Sequence, residues 1–338
     1  MQDADRLNVL VTMRFDEPML DRLRNVSPRL SVTQADPERA DYSRTDVLYA
    51  GSPPRDLGRA PNLKWVQLHL AGVNVIYDHP LYSGTTIPLT TTSGVHAATI
   101  AEYALTMLLA LAHRVPTMLE WQARATWPPD AQRWPLFVPT EVRGATLGII
   151  GYGSIGRELA RLAKTAFAMT VLACKRDPSV RADPGYSLPG TGDPEGALPD
   201  EWLGPERLGE LLARSDAVVM CAPFTRETER MIGDPELSQM KPSAYFVNVG
   251  RGATVDEAAL ARALRERRIA GAVVDVFAEE PPPNGHPLYG LGNVIVSPHV
   301  SGFLPSYDDK CSVLFAENLR RWLAGEPMLN LVDRARGY

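Results

Sequence analysis

Residues 145–163 read ATLGIIGYGSIGRELARLA, and the architecture of the chain can be worked out from this stretch. The apolar run Thr146–Ile150 has the length and the paired isoleucines of a buried strand, and the apolar residues after the glycines have helical spacing. Between them lie Gly151, Gly153 and Gly156. In a dinucleotide-binding turn, the first glycine permits the tight turn, the second admits a pyrophosphate close to the backbone, and the third allows close packing of helix on strand. The stretch therefore predicts a strand, a turn and a helix that together bind a dinucleotide.

The helix after this turn gives a second reason to expect a phosphate. It begins near Ser154, and its unpaired N–H groups and positive dipole end point at the turn. A GxGxxG pattern alone is weak evidence, because glycine-rich turns also occur in folds that bind nothing. Here the required strand and helix flank the pattern on the correct sides, which favours cofactor binding over a purely structural turn.

Length and composition limit the class of protein. A chain of 338 residues is long enough for two domains, and 45% hydrophobic and 22% charged residues are typical of a soluble globular protein. A net charge of -5 without a basic stretch argues against a nucleic-acid or anionic-membrane partner. The most apolar stretch, Tyr103–Ala112, is too short to span a bilayer.

The cysteines indicate a reducing compartment. Cys174, Cys221 and Cys311 are odd in number and lack metal-ligand spacing, and two of them lie in predicted buried strands. They are interpreted as reduced core residues, and no metal is expected. The start, MQDADRLN, is charged and lacks the apolar core of a signal peptide. We therefore expect a cytoplasmic enzyme or binding protein.

The first hundred residues are predicted to form a small α/β unit of their own. Asn8–Met13 and Asp46–Gly51 read as strands, and Glu17–Leu23 reads as a short helix. Leu63–Gly72 reads as a further strand that runs into a small-residue turn at Leu70–Asn74. Backbone N–H groups of such a turn can hold an anion, although the turn alone slightly favours an ordinary loop.

Two segments before the glycine-rich turn have unusual patterns. Ala98–Ala112 is apolar on nearly every face, which indicates a helix buried between domains or between subunits and suggests a homodimer. Trp121–Arg143 contains three tryptophans and four prolines without a clean period. It is predicted to be a long ordered loop, and such loops are often functional.

From Gly144 onward, apolar strands alternate with helices, which predicts a doubly wound parallel sheet with ligands bound beyond the carboxyl ends of its strands. A proline- and glycine-rich surface excursion is expected at Asp177–Pro205, and a closing helix at Ser306–Trp322 is expected to pack on the first domain. The predicted strands are Thr146–Ile150, Thr170–Cys174, Ala217–Cys221, Ala244–Val249, Gly271–Phe277 and Asn293–Ser297, and the predicted helices are Ser154–Ala166, Glu206–Ala213, Pro235–Gln239 and Asp256–Arg267.

Three polar residues come at or just beyond the ends of successive predicted strands. Arg251 follows YFVNVG, Glu280 follows VVDVFA, and His299 follows VIVSP. Each alone has a structural interpretation, but together they lie on the edge of the sheet that holds the cofactor. Their types suit hydride transfer to a 2-keto acid. A guanidinium can bind a carboxylate or carbonyl oxygen through two hydrogen bonds, and a histidine oriented by a carboxylate can donate a proton to the developing alkoxide.

Some alternatives stay open from the residues alone. Glu279 competes with Glu280 for the place beside the histidine. Asp275, inside a strand with apolar neighbours, is either hydrogen-bonded to the backbone or in contact with the nicotinamide. Among the other histidines, only His96 and His69 are kept, as weak candidates.

With these motifs the chain resembles the D-isomer-specific 2-hydroxyacid dehydrogenase family. The resemblance covers nearly the whole chain and rests on LGIIGYGSIG, VNVGRG, GAVVDVFAEEPP and NVIVSPHVSG, in the order of the family. It implies a central dinucleotide-binding Rossmann domain, residues 99–302. It also implies a smaller, flavodoxin-like α/β domain that binds the substrate and is built from both chain ends, residues 1–98 and 303–338.

The resemblance also implies roles for individual residues. Arg251 would bind substrate, His299 would be the acid/base, and Glu280, which directly precedes the proline, would tune the histidine in place of Glu279. Backbone amides of the turn at Ala71 and Gly72 would hold the substrate carboxylate. With the glycines of the fingerprint, the expected cofactor contacts are Gly151, Gly153, Ser154, Ile155, Gly156, Pro223, Thr228, Val249, Asp275 and Gly302.

One departure from the expected pattern concerns the cofactor. Lys175 and Arg176 stand where an acidic residue would hold the ribose hydroxyls, about 20 residues after the fingerprint. A basic pair can instead bind the 2′-phosphate of NADPH through charge-assisted contacts, so NADP(H) is favoured over NAD(H). The alternatives are that Asp177 takes the ribose position after a small shift, or that the pair belongs to a solvated loop.

A second departure follows the histidine. SGFLPSYDD contains the bulky residues Phe303, Leu304 and Tyr307, where relatives are usually smaller and carry a threonine. With Trp121–Arg143, these residues either line a pocket for a larger or aromatic substrate or form a packed hinge.

The principal hypothesis from the sequence is that the protein is an NADP(H)-preferring reductase of glyoxylate, hydroxypyruvate or a related 2-keto acid. No nucleic-acid or membrane partner is expected. The alternative is a dinucleotide-sensing interaction protein on the same fold, which fold alone does not exclude. The intact set of Arg251, Glu280 and His299 argues against it, because a sensor needs no proton donor. A methyltransferase on a Rossmann fold is disfavoured by the VNVGRG and SPH segments.

Overall fold

The chain contains two parallel sheets, each in its own unit. The computed structural model describes residues 6–338. Unit 1 comprises the described residues up to Val95, Pro184–Tyr186 and Leu304–Tyr338, and unit 2 comprises His96–Asp183 and Ser187–Phe303. The assignment of residues 1–98 and 303–338 to a substrate domain remains a prediction.

The secondary structure follows the chain in this order. The strands are β1 Leu7–Val11, β2 Leu30–Gln34, β3 Val47–Ala50, β4 Trp65–Leu68, β5 Leu89–Thr90, β6 Thr146–Ile150, β7 Thr170–Cys174, β8 Glu201–Leu203, β9 Ala217–Met220, β10 Tyr245–Asn248, β11 Gly271–Val274 and β12 Val294–Val296. The α-helices are α1 Glu17–Arg24, α2 Pro80–Ser83, α3 Ala97–Ala112, α4 Val115–Ala123, α5 Asp130–Phe137, α6 Ser154–Phe167, α7 Leu208–Arg214, α8 Asp234–Leu237, α9 Glu257–Arg265 and α10 Tyr307–Ala324. Within residues 6–338, no helix has the length and apolar content needed to cross a membrane.

Unit 1 is built on a parallel sheet with the strand order β2-β1-β3-β4-β5. The central strands β3 and β4 are buried along their whole length, which explains their almost continuous apolar sequence. Helix α1 begins at a capping residue, Asp16, whose carboxylate accepts a hydrogen bond from Met19 N at 3.0 Å. Helix α10 packs against α1, so the last long helix of the chain covers the sheet formed by the first residues.

Unit 2 is a doubly wound parallel sheet with the strand order β12-β11-β10-β9-β6-β7-β8, which confirms the predicted fold class. Strand β6 pairs with β7 on one side and β9 on the other, so the direction of winding reverses there. In doubly wound sheets, ligands bind in the crevice at the carboxyl ends of the strands around such a reversal. The glycine-rich turn directly follows β6 and therefore lies at that crevice.

The prediction of a long loop at Trp121–Arg143 is wrong, because the segment contains the end of α4 and all of α5. The prolines suggested a loop, but Pro128 and Pro129 precede α5, where no backbone donor is needed. Pro135 lies inside α5 and costs this two-turn helix only one backbone hydrogen bond.

The excursion predicted at Asp177–Pro205 is interrupted by β8, which extends the sheet beyond β7. The excursion is held against the helix of the fingerprint. The hydroxyl of Tyr152 donates to Asp193 Oδ2 at 2.8 Å, and Arg157, which is buried, donates to the carbonyl of Arg181 at 2.6 Å. Glu158, also buried, accepts a hydrogen bond from Gly192 N at 2.6 Å. The segment is therefore ordered by polar contacts with the turn and with α6.

Candidate active site

Three side chains singled out in the sequence follow neighbouring strands of unit 2. Arg251 follows β10, Glu280 follows β11, and His299 follows β12. These strands are adjacent and parallel, so their carboxyl ends lie on one edge of the sheet. This is the edge at which the glycine-rich turn follows β6.

His299 and Glu280 form the central contact of this edge. His299 Nδ1 lies 2.7 Å from Glu280 Oε2, and the other carboxylate oxygen of Glu280 accepts a hydrogen bond from Phe277 N at 2.9 Å. The second contact fixes the carboxylate, and the first fixes the orientation of the imidazole ring. Nε2 is the ring nitrogen that this pair does not use. Of the two glutamates considered, Glu280 is the one placed against His299.

The backbone of His299 has an unusual conformation that Asp275 supports. Its φ of +55° lies in the left-handed region, and its N–H donates to the carbonyl of Asp275 at 2.8 Å. The fully buried Asp275 carboxylate accepts from Ser297 Oγ at 2.6 Å, Val300 N at 2.9 Å and Ser301 N at 3.1 Å. Asp275 is therefore hydrogen-bonded to the backbone, the first of its two predicted alternatives, and it determines the shape of the loop that carries His299. Its contact with the nicotinamide remains a prediction.

Sequence reasoning did not single out Ser297, which connects this loop to α3. Its hydroxyl contacts both Asp275 and the hydroxyl of Tyr103. The SPH motif contained the residue, but no periodicity identifies a hydrogen bond to a helix that lies almost two hundred positions earlier in the chain.

The backbone of Arg251 is held in place by two hydrogen bonds to its carbonyl. Its carbonyl accepts hydrogen bonds from Asn248 Nδ2 at 3.2 Å and from Thr254 Oγ1 at 2.6 Å. Its Nη1 donates to the carbonyl of Gly250 at 2.7 Å. A guanidinium is planar and always charged, which suits it to bind a carboxylate.

His96, a weak candidate in the sequence, lies beside this group of residues. A Cβ atom added to Gly302 would lie 3.2 Å from His96 Nδ1, so the ring lies against the loop that follows His299. Burial lowers the pKa of His96 to about 4, and the positive charges of Arg251 and His299 act in the same direction. His96 is therefore neutral near pH 7 while it contributes a polar ring to the site.

The glycine-rich turn has the geometry that a phosphate requires. Gly151 has a φ of +93°, and a Cβ atom there would lie 2.5 Å from Ala222 N, so only glycine fits. A Cβ atom on Gly156 would lie 2.6 Å from the carbonyl oxygen of Gly151, which explains the close packing of α6 on the turn. Around Gly153 there is open space. Helix α6 begins at Ser154, so the backbone N–H groups of its first residues, Ser154 and Ile155, point toward this space. The turn therefore fits the pyrophosphate of a dinucleotide.

The basic pair after β7 has partners within the protein. Lys175 Nζ donates to the carbonyl of Val180 at 2.6 Å, and Arg176 forms an exposed ion pair with Glu227 at 2.6 Å. The Asp177 carboxylate accepts hydrogen bonds from Ser179 N at 3.0 Å and Ser179 Oγ at 2.6 Å, which lower its pKa. The carboxylate of Asp177 is therefore engaged in a local turn.

The remaining expected cofactor residues line the ends of β9 and β10. Thr228 Oγ1 donates to the carbonyl of Pro223 at 2.7 Å, which closes the loop after β9. Val249 is buried, and its N–H donates to the carbonyl of Met220 at 3.2 Å. The contacts of these residues with a cofactor remain predictions.

The bulky residues after the histidine separate into two environments. Phe303, in unit 2, is 74% exposed. Tyr307, in unit 1, is partly buried, and its hydroxyl lies 2.8 Å from Thr92 Oγ1. Tyr307 is therefore packed, whereas Phe303 is accessible to a ligand.

The comparisons with known protein families and with curated proteins agree with each other. The family model described as "D-isomer specific 2-hydroxyacid dehydrogenase, NAD binding domain" matches residues 105–301. The chain is 38% identical over 278 residues to a glyoxylate reductase of Thermococcus gammatolerans, covering 81% of this chain and 78% of the relative. It is 33% identical over 267 residues to an (S)-sulfolactate dehydrogenase of Chromohalobacter salexigens, covering 79% of this chain and 80% of the relative.

Solved structures of other proteins share the fold of this chain along almost its whole length. A D-isomer specific 2-hydroxyacid dehydrogenase of Xanthobacter autotrophicus Py2 in complex with NADPH and MES has a TM-score of 0.79 and 29% identity, over 98% of this chain and 100% of that one. A probable 2-hydroxyacid dehydrogenase of Rhizobium etli CFN 42 in complex with NADP, HEPES and L(+)-tartaric acid has a TM-score of 0.76 and 25% identity, over 98% and 100% of the two chains.

Proposed function

This chain belongs to the D-isomer specific 2-hydroxyacid dehydrogenase family, and we propose that it reduces glyoxylate, hydroxypyruvate or a related 2-keto acid with NADP(H) in preference to NAD(H). The observation that carries the proposal is the 2.7 Å contact between His299 and Glu280 on the sheet edge that also holds Arg251. Seven of the most similar curated relatives are glyoxylate reductases, which supports a small 2-keto acid as the substrate.

In the proposed reaction, each side chain has one task. The nicotinamide supplies a hydride to the keto carbon. His299, as an imidazolium, donates its Nε2 proton to the keto oxygen, so the hydride and the proton together convert the keto acid to the 2-hydroxy acid. Glu280 stabilises the imidazolium before transfer and orients the ring. Arg251 binds a carboxylate or carbonyl oxygen of the substrate, and the backbone amides of Ala71 and Gly72 are proposed to bind the carboxylate.

The cofactor preference rests on the residues after β7. Lys175 and Arg176 are positively charged, and Asp177, the alternative ribose ligand, uses its carboxylate for Ser179. Arg176 would have to exchange Glu227 for the 2′-phosphate, which an exposed ion pair permits at little cost. The structures of two relatives contain NADPH or NADP, which is consistent with this preference.

Replacing Lys175 with glutamine is expected to raise the KM for NADPH about 10- to 150-fold, because a charge-assisted hydrogen bond to the phosphate is lost. The KM for NADH should change less than twofold. Arg265→Gln removes an exposed charge from α9 and is the matched control, with no expected effect on either cofactor. Equal effects of Lys175→Gln on both cofactors would show that the basic pair does not bind the phosphate.

The activity is tested by following the oxidation of NADPH and NADH with glyoxylate, hydroxypyruvate, pyruvate and phenylpyruvate at neutral pH. We expect turnover with NADPH on at least one of the small keto acids. A preference for phenylpyruvate would assign the accessible Phe303 to a larger pocket. Dinucleotide binding without turnover on any keto acid would contradict the proposal and favour the dinucleotide-sensing interaction protein.

We also infer a cytoplasmic homodimer. Leu119, Trp127 and Trp134 in the α4–α5 region are 57%, 79% and 77% exposed, and a group of large apolar side chains on one segment is typical of a protein interface. The three cysteines are unpaired, which suits a reducing compartment.

A further inference from the structure

Beyond the end of β4, unit 1 holds an imidazole through both of its ring nitrogens. His69 Nδ1 lies 2.6 Å from the hydroxyl oxygen of Tyr49, and His69 Nε2 lies 3.3 Å from Asp308 Oδ1. Tyr49 is fully buried on β3, and Asp308 lies in the first turn of α10. The proposed reaction gives none of these three side chains a task.

The chemistry of the partners determines which nitrogen of His69 carries the proton. Burial raises the pKa of Tyr49 well above that of a free phenol, so its hydroxyl keeps its proton. Burial also lowers the pKa of His69, although the charge of Asp308 acts in the opposite direction. A neutral imidazole has one N–H, and a carboxylate can only accept. The N–H is therefore on Nε2, which faces the carboxylate of Asp308, while Nδ1 accepts the proton of Tyr49, so the ring has one orientation.

Thr92 holds the turn that directly follows His69, and Tyr307 connects Thr92 to the imidazole. Thr92 N donates to the carbonyl of Leu70 at 2.9 Å, and Thr92 Oγ1 lies 2.8 Å from the hydroxyl of Tyr307. The ring of Tyr307 meets the ring of His69 edge-on, with 5.0 Å between centroids and an interplanar angle of 79°. We call Tyr49, His69, Thr92, Tyr307 and Asp308 the β4-end cluster.

The backbone of His69 completes this arrangement. Its N–H donates to the carbonyl of Ala50 at 2.9 Å, which continues the pairing of β4 with β3 to the last residue before the turn. The turn at Leu70–Gly72 is thus held directly by the hydrogen bond from Thr92 to Leu70, and the residue before it, His69, is fixed by its backbone and its side chain. A turn that is fixed before the ligand arrives loses less conformational freedom on binding, and this raises affinity without a new contact.

We propose that His69 is a positioning residue for substrate binding, which acts through the β4-end cluster to hold the backbone amides of Leu70–Gly72 in place for the carboxylate of a 2-keto acid. The inference rests on the proposed function and adds to it a residue that sets substrate affinity. His69 touches neither the reacting atoms nor the cofactor in this proposal, so its effect is on the KM of the keto acid.

The test is the steady-state kinetics of His69→Phe with NADPH and the keto acid that the wild type reduces best. Phenylalanine keeps an aromatic ring but removes both polar contacts. We expect the KM for the keto acid to rise about 5- to 100-fold, as the hydrogen bond to Tyr49 and the contact with Asp308 are lost, while kcat and the KM for NADPH change less than threefold. His69→Gln, whose amide can donate to Asp308, should recover part of the affinity.

A matched pair of phenol variants separates the cluster from general stability. Tyr49→Phe removes the hydroxyl that donates to His69, and the KM should rise about 2- to 10-fold. Tyr42→Phe removes a hydroxyl that donates to the carbonyl of Pro37 at 2.9 Å, outside the cluster, and should leave the KM unchanged. If His69→Phe does not fold, Tyr49→Phe and His69→Gln decide the question.

Two kinetic outcomes would overturn the proposal. One is a KM for the keto acid within twofold of wild type in His69→Phe, and the other is a loss of kcat at an unchanged KM. If the wild type reduces no 2-keto acid, the proposed function fails, and the positioning role is then tested by calorimetry with oxamate in the presence of NADPH. Weaker oxamate binding by His69→Phe than by the wild type would support the role, whereas equal binding, or none by the wild type, would overturn it.

Discussion

Replacing His299 with alanine is expected to lower kcat for keto-acid reduction about 100- to 10,000-fold, because the transition state loses its proton donor. The affinity for NADPH should stay within threefold of wild type, since the ring contacts Glu280 and lies at a different part of the sheet edge from the glycine-rich turn. Single-turnover rates and NADPH fluorescence titration measure the two quantities separately.

The partner residue supplies the control for this experiment. Glu280→Gln keeps the size of the side chain but removes the negative charge 2.7 Å from Nδ1. The charge-assisted hydrogen bond that orients the imidazole becomes a weaker neutral one, so kcat for keto-acid reduction should fall while the affinity for NADPH stays unchanged. Turnover of His299→Ala within fivefold of wild type would contradict the assignment of His299 as the general acid. An unchanged kcat in Glu280→Gln would contradict the role of the carboxylate.

Replacing Arg251 with alanine is expected to lower kcat/KM for the keto acid about 30- to 5,000-fold, because a hydrogen-bonded charge pair with the substrate is worth about 2–5 kcal/mol when one partner is removed. The backbone of the residue is held by Asn248 and Thr254 through its carbonyl. Truncation of the side chain should therefore leave the loop in place. The measurement is the initial rate over a range of keto-acid concentrations at saturating NADPH.

The control for Arg251 is a change of geometry at constant charge. Arg251→Lys keeps a positive charge but lacks the planar pair of donors, so it should recover only a part of the lost kcat/KM. Full recovery would show that the residue acts as a point charge. No loss in Arg251→Ala would remove this residue from the substrate site.

The doubly wound sheet of unit 2 could be predicted because each of its central strands is a short, continuous apolar run, as burial on both faces requires. The strand Thr146–Ile150 and the start of the following helix at Ser154 agree with the observed β6 and α6. β8 was missed because an edge strand of three residues, Glu201–Leu203, has neither an apolar run nor enough length for a period. Arg251 and His299 were identified by their positions after successive predicted strands, taken together with their chemistry.

The parts of the site that could not be predicted depend on contacts between distant residues. His96 was a weak candidate because its closeness to Gly302 arises only when the chain folds back over two hundred residues. The ion pair between Arg176 and Glu227 is likewise invisible to a local reading of the basic pair. The helices α4 and α5 were missed because proline counts do not tell whether each proline lies at a helix start or in its interior.

The excursion after β7 has a consequence for attempts to shorten this protein. Arg157 and Glu158 are buried charged residues on α6 whose partners include Arg181, Gly192 and the loop around Asp193. A deletion that rejoined the ends of the excursion would remove these contacts and leave Glu158 its ion pair with Arg161, whereas Arg157 would lose its carbonyl partners. A buried charge without its partners destabilises a fold by several kcal/mol. The excursion therefore cannot be removed without changing α6. A shortened protein would require apolar or small residues in place of Arg157 and Glu158 together with the deletion.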